Sequence, residues 1–454
     1  MEQPDLILFM TDQQRFDQTG YASGGHIDMP VLDELAARGT IFETAYSAST
    51  VCVPARVGLL TGVQPHRTPT QENGAALAEG YWTVARALQA VGYETAIIGK
   101  MHFSPVHASH GFEVLRMCEH LSAQGLGPLA HERGDTTDDY HEWLLAQGFD
   151  DWRFGPTPQS QQYPLPARTH PTAWVEREAS EFLARRDRSR PLFLIVSFPH
   201  PHAPYNPPEP YASRYDRNTE RMPPTSYHDN ADLPLHFQVA IEYGMKAAGQ
   251  VNEPSLRIFL ATVRGMLRQI DDAMGRLLEQ IDLDCTGVFF TSDHGDYAGH
   301  RGLLRKAPWI PFDDLARVPL VAAGLDFAQG TKVPSLVQSS DLPQTWLDLV
   351  GIDPPEGLPL RGRSLLPWLT GSATEDDRDR AVFSALSMKW PMVRVGHHKL
   401  IDNPRHDARV LFDLAADPHE VHDLAADPAW STVVDELAML LHDELDAPPS
   451  VWVG

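Results

Sequence analysis

Four short apolar runs constrain this chain most: LILFM at 6–10, TAIIG at 95–99, LFLIVSF at 192–198 and GVFFTS at 287–292. Each is followed within a few residues by Asp, His or Lys. Nearly unbroken apolar runs of this length suit strands buried on both faces, which is the condition of a parallel sheet covered by helices. Such sheets place chemistry at the C-terminal ends of their strands, so four polar clusters at four strand ends are expected to converge. The intervening segments read as helices: MPVLDELAARG at 29–39 with Gly39 as a stop, RVGLLTG at 56–62, TVARALQAVG at 83–92 and a long amphipathic stretch at 256–281. The spacing therefore predicts an α/β fold, a large mostly parallel sheet sandwiched by helices.

Beyond about Pro355 the texture changes to short strands and turns: AVFSAL at 381–386, MVRVGHHKLI at 392–401 and ARVLFDL at 408–414, then a last helix near 431–445. This predicts a small antiparallel sheet with a helix packed on it. At 454 residues the chain exceeds one ordinary core, so the division expected is a catalytic unit at 1–355 and a C-terminal α+β subdomain at 356–454. The stretch GPTPQSQQYPLPAR at 155–168 reads as an irregular excursion, and no internal repeat is visible.

A formal net charge of −24 excludes nucleic acid and an anionic membrane surface as main partners. Any anion site must then be a local cationic pocket on an acidic body. The three cysteines, Cys52, Cys118 and Cys285, show neither a disulfide framework nor metal-ligand spacing. The start MEQPDLILFMTDQQ lacks a signal-peptide core, and no run is apolar enough to span a bilayer. A soluble, cytoplasmic protein is expected. The apolar tail PPSVWVG suits packing on the body or on a second subunit of a homo-oligomer.

The sharpest local motif is Cys52-Val53-Pro54-Ala55-Arg56, followed by Leu60-Thr61-Gly62. Along the chain it is accompanied, in order, by Thr11-Asp12-Gln13, by GKMH at 99–102, by PHPHAPY at 199–205, by SDHG at 292–295, by Lys306 and by a closing LFDLAADPHEVHDLA. This series resembles the formylglycine-dependent sulfatases of the alkaline phosphatase superfamily, over nearly the whole chain. The D-Q and D-H elements are similar to those of its choline-sulfatase-like and phosphonate-monoester-hydrolase-like branches.

The resemblance implies hydrolysis of a sulfate ester by an aldehyde made from Cys52. A formylglycine-generating enzyme would act on the chain before it folds. The hydrated aldehyde offers one oxygen to attack sulfur and another to expel the product, which a serine could not do. Asp12, Gln13, Asp293 and His294, with modified residue 52, are then the ligands of one divalent metal. The familiar pairs are Asp-Asp and Asp-Asn. Asp-Gln and Asp-His remove one negative charge and add a nitrogen. Calcium is the first expectation; because calcium prefers all-oxygen sites while a histidine suits manganese, zinc or iron better, manganese is the close second.

By the same resemblance Arg56 holds the modified residue, and Lys100 contacts the sulfate oxygens. His102 is the base that releases sulfate, while His202 and Lys306 bind sulfate and serve the leaving group. His200 is assigned a supporting role. Lys100 and His102 share a direction if the chain stays extended. Asn73, in TQENG, is a candidate contact to the sulfate; an N-G pair is also an ordinary turn.

Two other readings stay open. A phosphonate monoester or phosphodiester hydrolase shares the D-Q and D-H elements but lacks the Lys100-x-His102 pair. A non-catalytic, metal-stabilised binding protein descended from a sulfatase would have lost one of these positions. Short length favours a small, end-on sulfated substrate, and the loops around 152–168, Trp390 and His397 carry no readable code for it.

Overall fold

The computed structural model describes residues 3–119, 138–149, 163–248, 251–354, 358, 360, 362–374, 380–385 and 389–446. Trp152, the first part of the 155–168 excursion, the 355/356 division and the PPSVWVG tail lie outside them.

The described residues form two sheets. The larger contains β1 (Asp5–Asp12), β2 (Gly39–Tyr46), β3 (Glu94–Gly99), β4 (Val114–Met117), β5 (Leu192–Pro201), β6 (Thr286–Ser292), β7 (Arg317–Val318), β8 (Leu320–Ala323) and β9 (Thr331–Gln338). Its order is β4-β3-β5-β1-β6-β8-β2-β7, with β9 also on β2. The four runs singled out in the sequence are the adjacent strands β3, β5, β1 and β6, all parallel, with Ile98 and Phe9 both opposite Val196 and Phe9 opposite Phe290. An antiparallel β8 on β6 and β2 turns the far side into a mixed sheet.

Why these strands are apolar on both faces is visible in the packing. Ile7, Phe9, Leu194, Val196, Val288 and Phe290 enter one core, with the helices Pro30–Ala37, Pro171–Arg185 and Glu253–Leu278. Their neighbours Leu6, Leu8, Phe193, Ile195 and Phe289 enter the other, with the helices Cys52–Thr61, Val84–Ala90 and Leu342–Val350. Alternation along each strand thus feeds two layers of helix, as a doubly covered sheet requires. The long helix starts at Asn252, whose side chain accepts from the Ser255 amide in a capping box.

One expectation fails. Gly39 does not stop the preceding helix, which ends at Ala37; it opens β2. A Cβ there would lie 2.2 Å from the Ala322 carbonyl oxygen, so glycine serves close strand approach rather than a turn.

The smaller sheet is an antiparallel meander, β10 (Ala381–Ser384), β11 (Met392–Val395), β12 (His398–Asn403) and β13 (Ala408–Asp413). One face packs on the helix Ser431–Leu445 through Val393, Leu400, Leu411, Leu437 and Leu441. The other face docks on the main body through Met392, Ile401, Val410 and Phe412 against Tyr46, Phe237 and Ile310. Buried charges seal this joint: Lys399 lies 2.7 Å from both Asp313 and Glu420, and the Tyr46 hydroxyl donates to Asp313 at 2.7 Å. Among the described residues no helix is long and apolar enough to cross a membrane.

Candidate active site

The ends of β1, β3, β5 and β6 and the start of the helix Cys52–Thr61 meet at one edge of the main sheet. Asp12 is the last residue of β1, and Asp293 and His294 directly follow β6. Cys52 opens its helix and is completely buried. Its sulfur is 3.2 Å from His294 Nε2, 2.9 Å from Lys306 Nζ and 3.9 Å from Asp12 Oδ1. In the form proposed below, this sulfur stands in for a hydroxyl oxygen on the Cβ of the modified residue.

Arg56 is one helical turn after Cys52 and reaches the same site. Its Nε donates to Asp293 Oδ2 at 2.9 Å, and its terminal nitrogens donate to Asp12 Oδ2 at 3.1 Å, to Ser197 Oγ at 3.0 Å and to the Lys100 carbonyl. Its bonds therefore run to the carboxylates that flank residue 52, not to the sulfur. Lys100 Nζ is 2.6 Å from Asp12 Oδ2.

Asp12, Cys52, Asp293 and His294 offer ligand atoms within 4.8 Å of one another, a group that could hold a metal ion. Two details test the fit. His294 Nδ1 is 2.8 Å from the Gly295 carbonyl and must donate to it, so Nε2 faces Cys52 and offers its lone pair when the ring is neutral. Burial penalises the imidazolium, but Asp293 and Cys52 outweigh it and raise its pKa. Gln13 gives its amide NH2 to Tyr205 at 3.0 Å and to Asp296, while its Oε1 is buried with no hydrogen-bond partner. An orphaned carbonyl oxygen on the residue next to Asp12 is what an oxygen-rich cation site leaves behind. Gln13 also has a left-handed backbone, φ 70°, and its N–H donates to Asp293 Oδ1 at 3.0 Å. The donor set fits a divalent ion.

The charges are arranged around this group. Burial penalises the Asp12 carboxylate, but Lys100, His202, Arg56 and Lys306 outweigh it and hold its pKa well below the usual value. Asp293 goes the other way, raised by burial and by the nearby Asp12. Burial and Asp12 push the Cys52 thiol up, yet Lys100, Lys306 and His294 bring it down to about 5. An anion at residue 52 is thus favoured by three neighbouring groups, despite the acidic body around them.

The sequence expected Lys100 and His102 on one side of an extended strand. Instead β3 ends at Gly99 and His102 turns left-handed, φ 67°. The pair still belongs to one site: burial and then the charge of Lys100 hold the imidazole pKa well below its ordinary value. His102 Nδ1 is buried without a hydrogen-bond partner. His202 is likewise depressed by burial and then by Lys306. Its Nδ1 donates to the Ala203 carbonyl at 2.8 Å, so in the neutral ring Nε2 is an acceptor. His200 lies behind, stacked on His170 at 4.6 Å and 3.1 Å from the Thr172 hydroxyl. Asn73 accepts from the Val53 amide at 3.0 Å, next to residue 52.

Four supporting residues escaped the sequence reading: Ser197, Tyr205, Asp296 and Glu119. Ser197 is the one polar residue in LFLIVSF, and Asp296 closes SDHGD, so both carried a signal. Glu119, in MCEH, carried none.

A parallel sheet that gathers two carboxylates, an imidazole and a nucleophile position at its C-terminal edge, ringed by fixed cations, is built as a hydrolase of anionic esters. Comparison with known proteins agrees. The sulfatase family profile matches residues 4–352, and a profile of the N-sulphoglucosamine sulphohydrolase C-terminal region matches 309–446. An arylsulfatase of Clostridium perfringens is 30% identical over 98% of this chain and 94% of its own length. A choline-sulfatase of Rhizobium meliloti is 29% identical, over 94% and 83%. The fold matches the crystal structure of a phosphonate monoester hydrolase of Agrobacterium radiobacter with a TM-score of 0.81, at 22% identity over 97% of this chain and 95% of that one. The chain belongs to the sulfatase family, and its arylsulfatase and choline-sulfatase relatives mark it as a sulfuric ester hydrolase.

Proposed function

We propose that this enzyme hydrolyses the sulfate ester of a small organic molecule or sugar, with formylglycine made from Cys52 and one divalent metal, calcium first and manganese second. The observation that carries the reading is the cationic seat at residue 52, where Lys306 and His294 flank the sulfur and Lys100 and Arg56 hold Asp12 opposite. Asp12, Gln13, Asp293 and His294 would hold the metal, which supplies charge neutralisation and lowers the pKa of the attacking oxygen.

The chain's own residues do the rest. Lys100 and Lys306 bind the sulfate oxygens and neutralise charge in the transition state. His102, held neutral by burial and Lys100, takes up at Nδ1 the proton whose loss frees sulfate. Lys306 gives its proton to the departing alkoxide. His202 must first gain a proton at Nε2 to donate there, and an arriving sulfate monoanion raises its affinity for one. Asn73 steadies the first turn carrying residue 52 and keeps its amide NH2 for a sulfate oxygen.

Phosphonate monoester or phosphodiester hydrolysis is the rival, favoured by the fold match and by the D-Q and D-H elements. The Lys100-x-His102 pair favours sulfate. Two measurements test the reading, on protein made with a formylglycine-generating enzyme: the mass of the peptide containing residue 52, and kcat/KM on aryl sulfate, phosphonate monoester and phosphodiester. An aldehyde mass with sulfate preferred supports it. A phosphoester preference by orders of magnitude overturns the sulfatase assignment, and a converted, metal-loaded protein inert on all three points to a binding relic.

A further inference from the structure

Behind His102 sits a carboxylate that none of this chemistry uses. Glu119 lies just past the end of β4 and is 3% exposed. Its Oε1 accepts the Met101 N–H at 3.2 Å and the His102 N–H at 3.0 Å, and its Oε2 accepts the His102 N–H at 2.8 Å. It is itself anchored: the Cys118 amide bonds the Gly99 carbonyl at 2.9 Å, and the Glu119 amide bonds Asp138 Oδ2 at 2.8 Å. Asp138 in turn caps the helix Asp139–Ala146 through the His141 amide at 2.7 Å.

His102 needs such a hold. A non-glycine residue at φ 67° occupies a region that costs free energy and persists only when its surroundings over-determine it. Without that turn the chain would continue along β3, and the imidazole would follow the strand instead of staying within reach of Lys100, Asp12, Arg56 and Lys306. A carboxylate is the suited clamp, because both oxygens accept. Burial pushes this carboxyl up to about 7, while the His102 N–H and the charge of Lys100 work the other way and favour the ionised form.

We propose that Glu119 is a positioning residue for His102, gripping the Met101 and His102 amides and so holding the left-handed turn that aims the imidazole into the site. The proposal rests on the reading of His102 as the proton acceptor. Glu119→Gln is the informative change, because it turns one acceptor oxygen into an NH2 group that meets the His102 N–H head-on.

The test is a double-mutant cycle on the full chain, with residue 52 converted and metal bound, using p-nitrophenyl sulfate. Glu119→Gln is expected to lower kcat by about 10- to 100-fold with KM changed by less than about 3-fold, the pattern of a misplaced catalytic group. In the His102→Ala background the same change is expected to alter kcat by no more than about twofold. An equal loss in both backgrounds, or no loss in either, overturns the proposal. If His102→Ala alone keeps full kcat, the role given to His102 fails and the proposal with it, an outcome distinct from the other two. Should Glu119→Gln not fold, Glu119→Asp, which keeps both oxygens on a shorter arm, enters the same cycle with a smaller expected loss.

Discussion

Arg56 offers the sharpest energetic test of the site, because one guanidinium serves two buried carboxylates. It is 2% exposed, donates to Asp293 at 2.9 Å and to Asp12 at 3.1 Å, and both carboxylates are buried. Arg56→Met keeps most of the side-chain volume and removes the charge and every donor. Each bond to a charged partner contributes about 1.5–3 kcal/mol, and breaking a buried ion pair from one side costs about 3–5 kcal/mol. The Ser197 hydroxyl and the Lys100 carbonyl lose a partner as well. The metal-free variant is therefore expected to be about 3–5 kcal/mol less stable than the metal-free parent.

A divalent ion seated on Asp12 and Asp293 would neutralise the same two charges. The loss is then expected to shrink in saturating calcium or manganese, since metal binding stabilises the variant more than the parent. Urea unfolding followed by tryptophan fluorescence, with and without chelator, measures both values, provided the slope is unchanged. A metal-free loss below about 1 kcal/mol would contradict the buried-pair argument. An equal loss with and without metal would show that arginine and metal do not share these carboxylates.

Gly99→Ala places a Cβ 1.9 Å from the Ser197 carbonyl oxygen at φ 107°, so it is expected to cost more than about 4 kcal/mol and to remove soluble protein; near-normal yield would refute it. Asp271 accepts the Val31 and Leu32 amides, yet burial pushes its carboxyl up to about 7. A raised acid binds its proton more tightly in the fold than in the unfolded chain, so this contribution fades as pH rises from about 4 to about 7. Asp271→Asn is expected to flatten that fall in a stability–pH series, and an unchanged slope would sink the argument. With a net charge of −24, the body repels an anionic ester, so kcat/KM on p-nitrophenyl sulfate is expected to rise with salt at low ionic strength. A fall would show that the cationic seat governs approach.

The parallel core was legible because its strands are buried twice over, which writes long apolar runs such as LFLIVSF into the chain. β2, β8 and β9 were not: GTIFETAY and TKVPSLVQ mix polar and apolar residues, LVAA is only four residues long, and all three take their identity from neighbours far away in sequence. Gly39 misled for the same reason: its close neighbour, Ala322 in β8, is far away in sequence. The candidate site residues were picked out through motif order, and the structure brings Asp12, Cys52, Arg56, Lys100, Asp293, His294 and Lys306 together. Motif order is silent on what holds a side chain in place. Glu119 acts through backbone amides, and Arg56 reaches residue 52 only by way of Asp12 and Asp293; neither relation leaves a mark in local sequence.

The burial of Cys52 also sets a clock. The groups that close over it are made late: His294 follows it by 242 residues and Lys306 by 254. At about 5–20 residues per second of synthesis, roughly 12 to 50 seconds pass between the appearance of the cysteine and the appearance of its lid. The conversion proposed for residue 52 must finish within that interval or shortly after it. On that proposal, the active fraction of the enzyme is set by a race between conversion and folding, before any substrate is met.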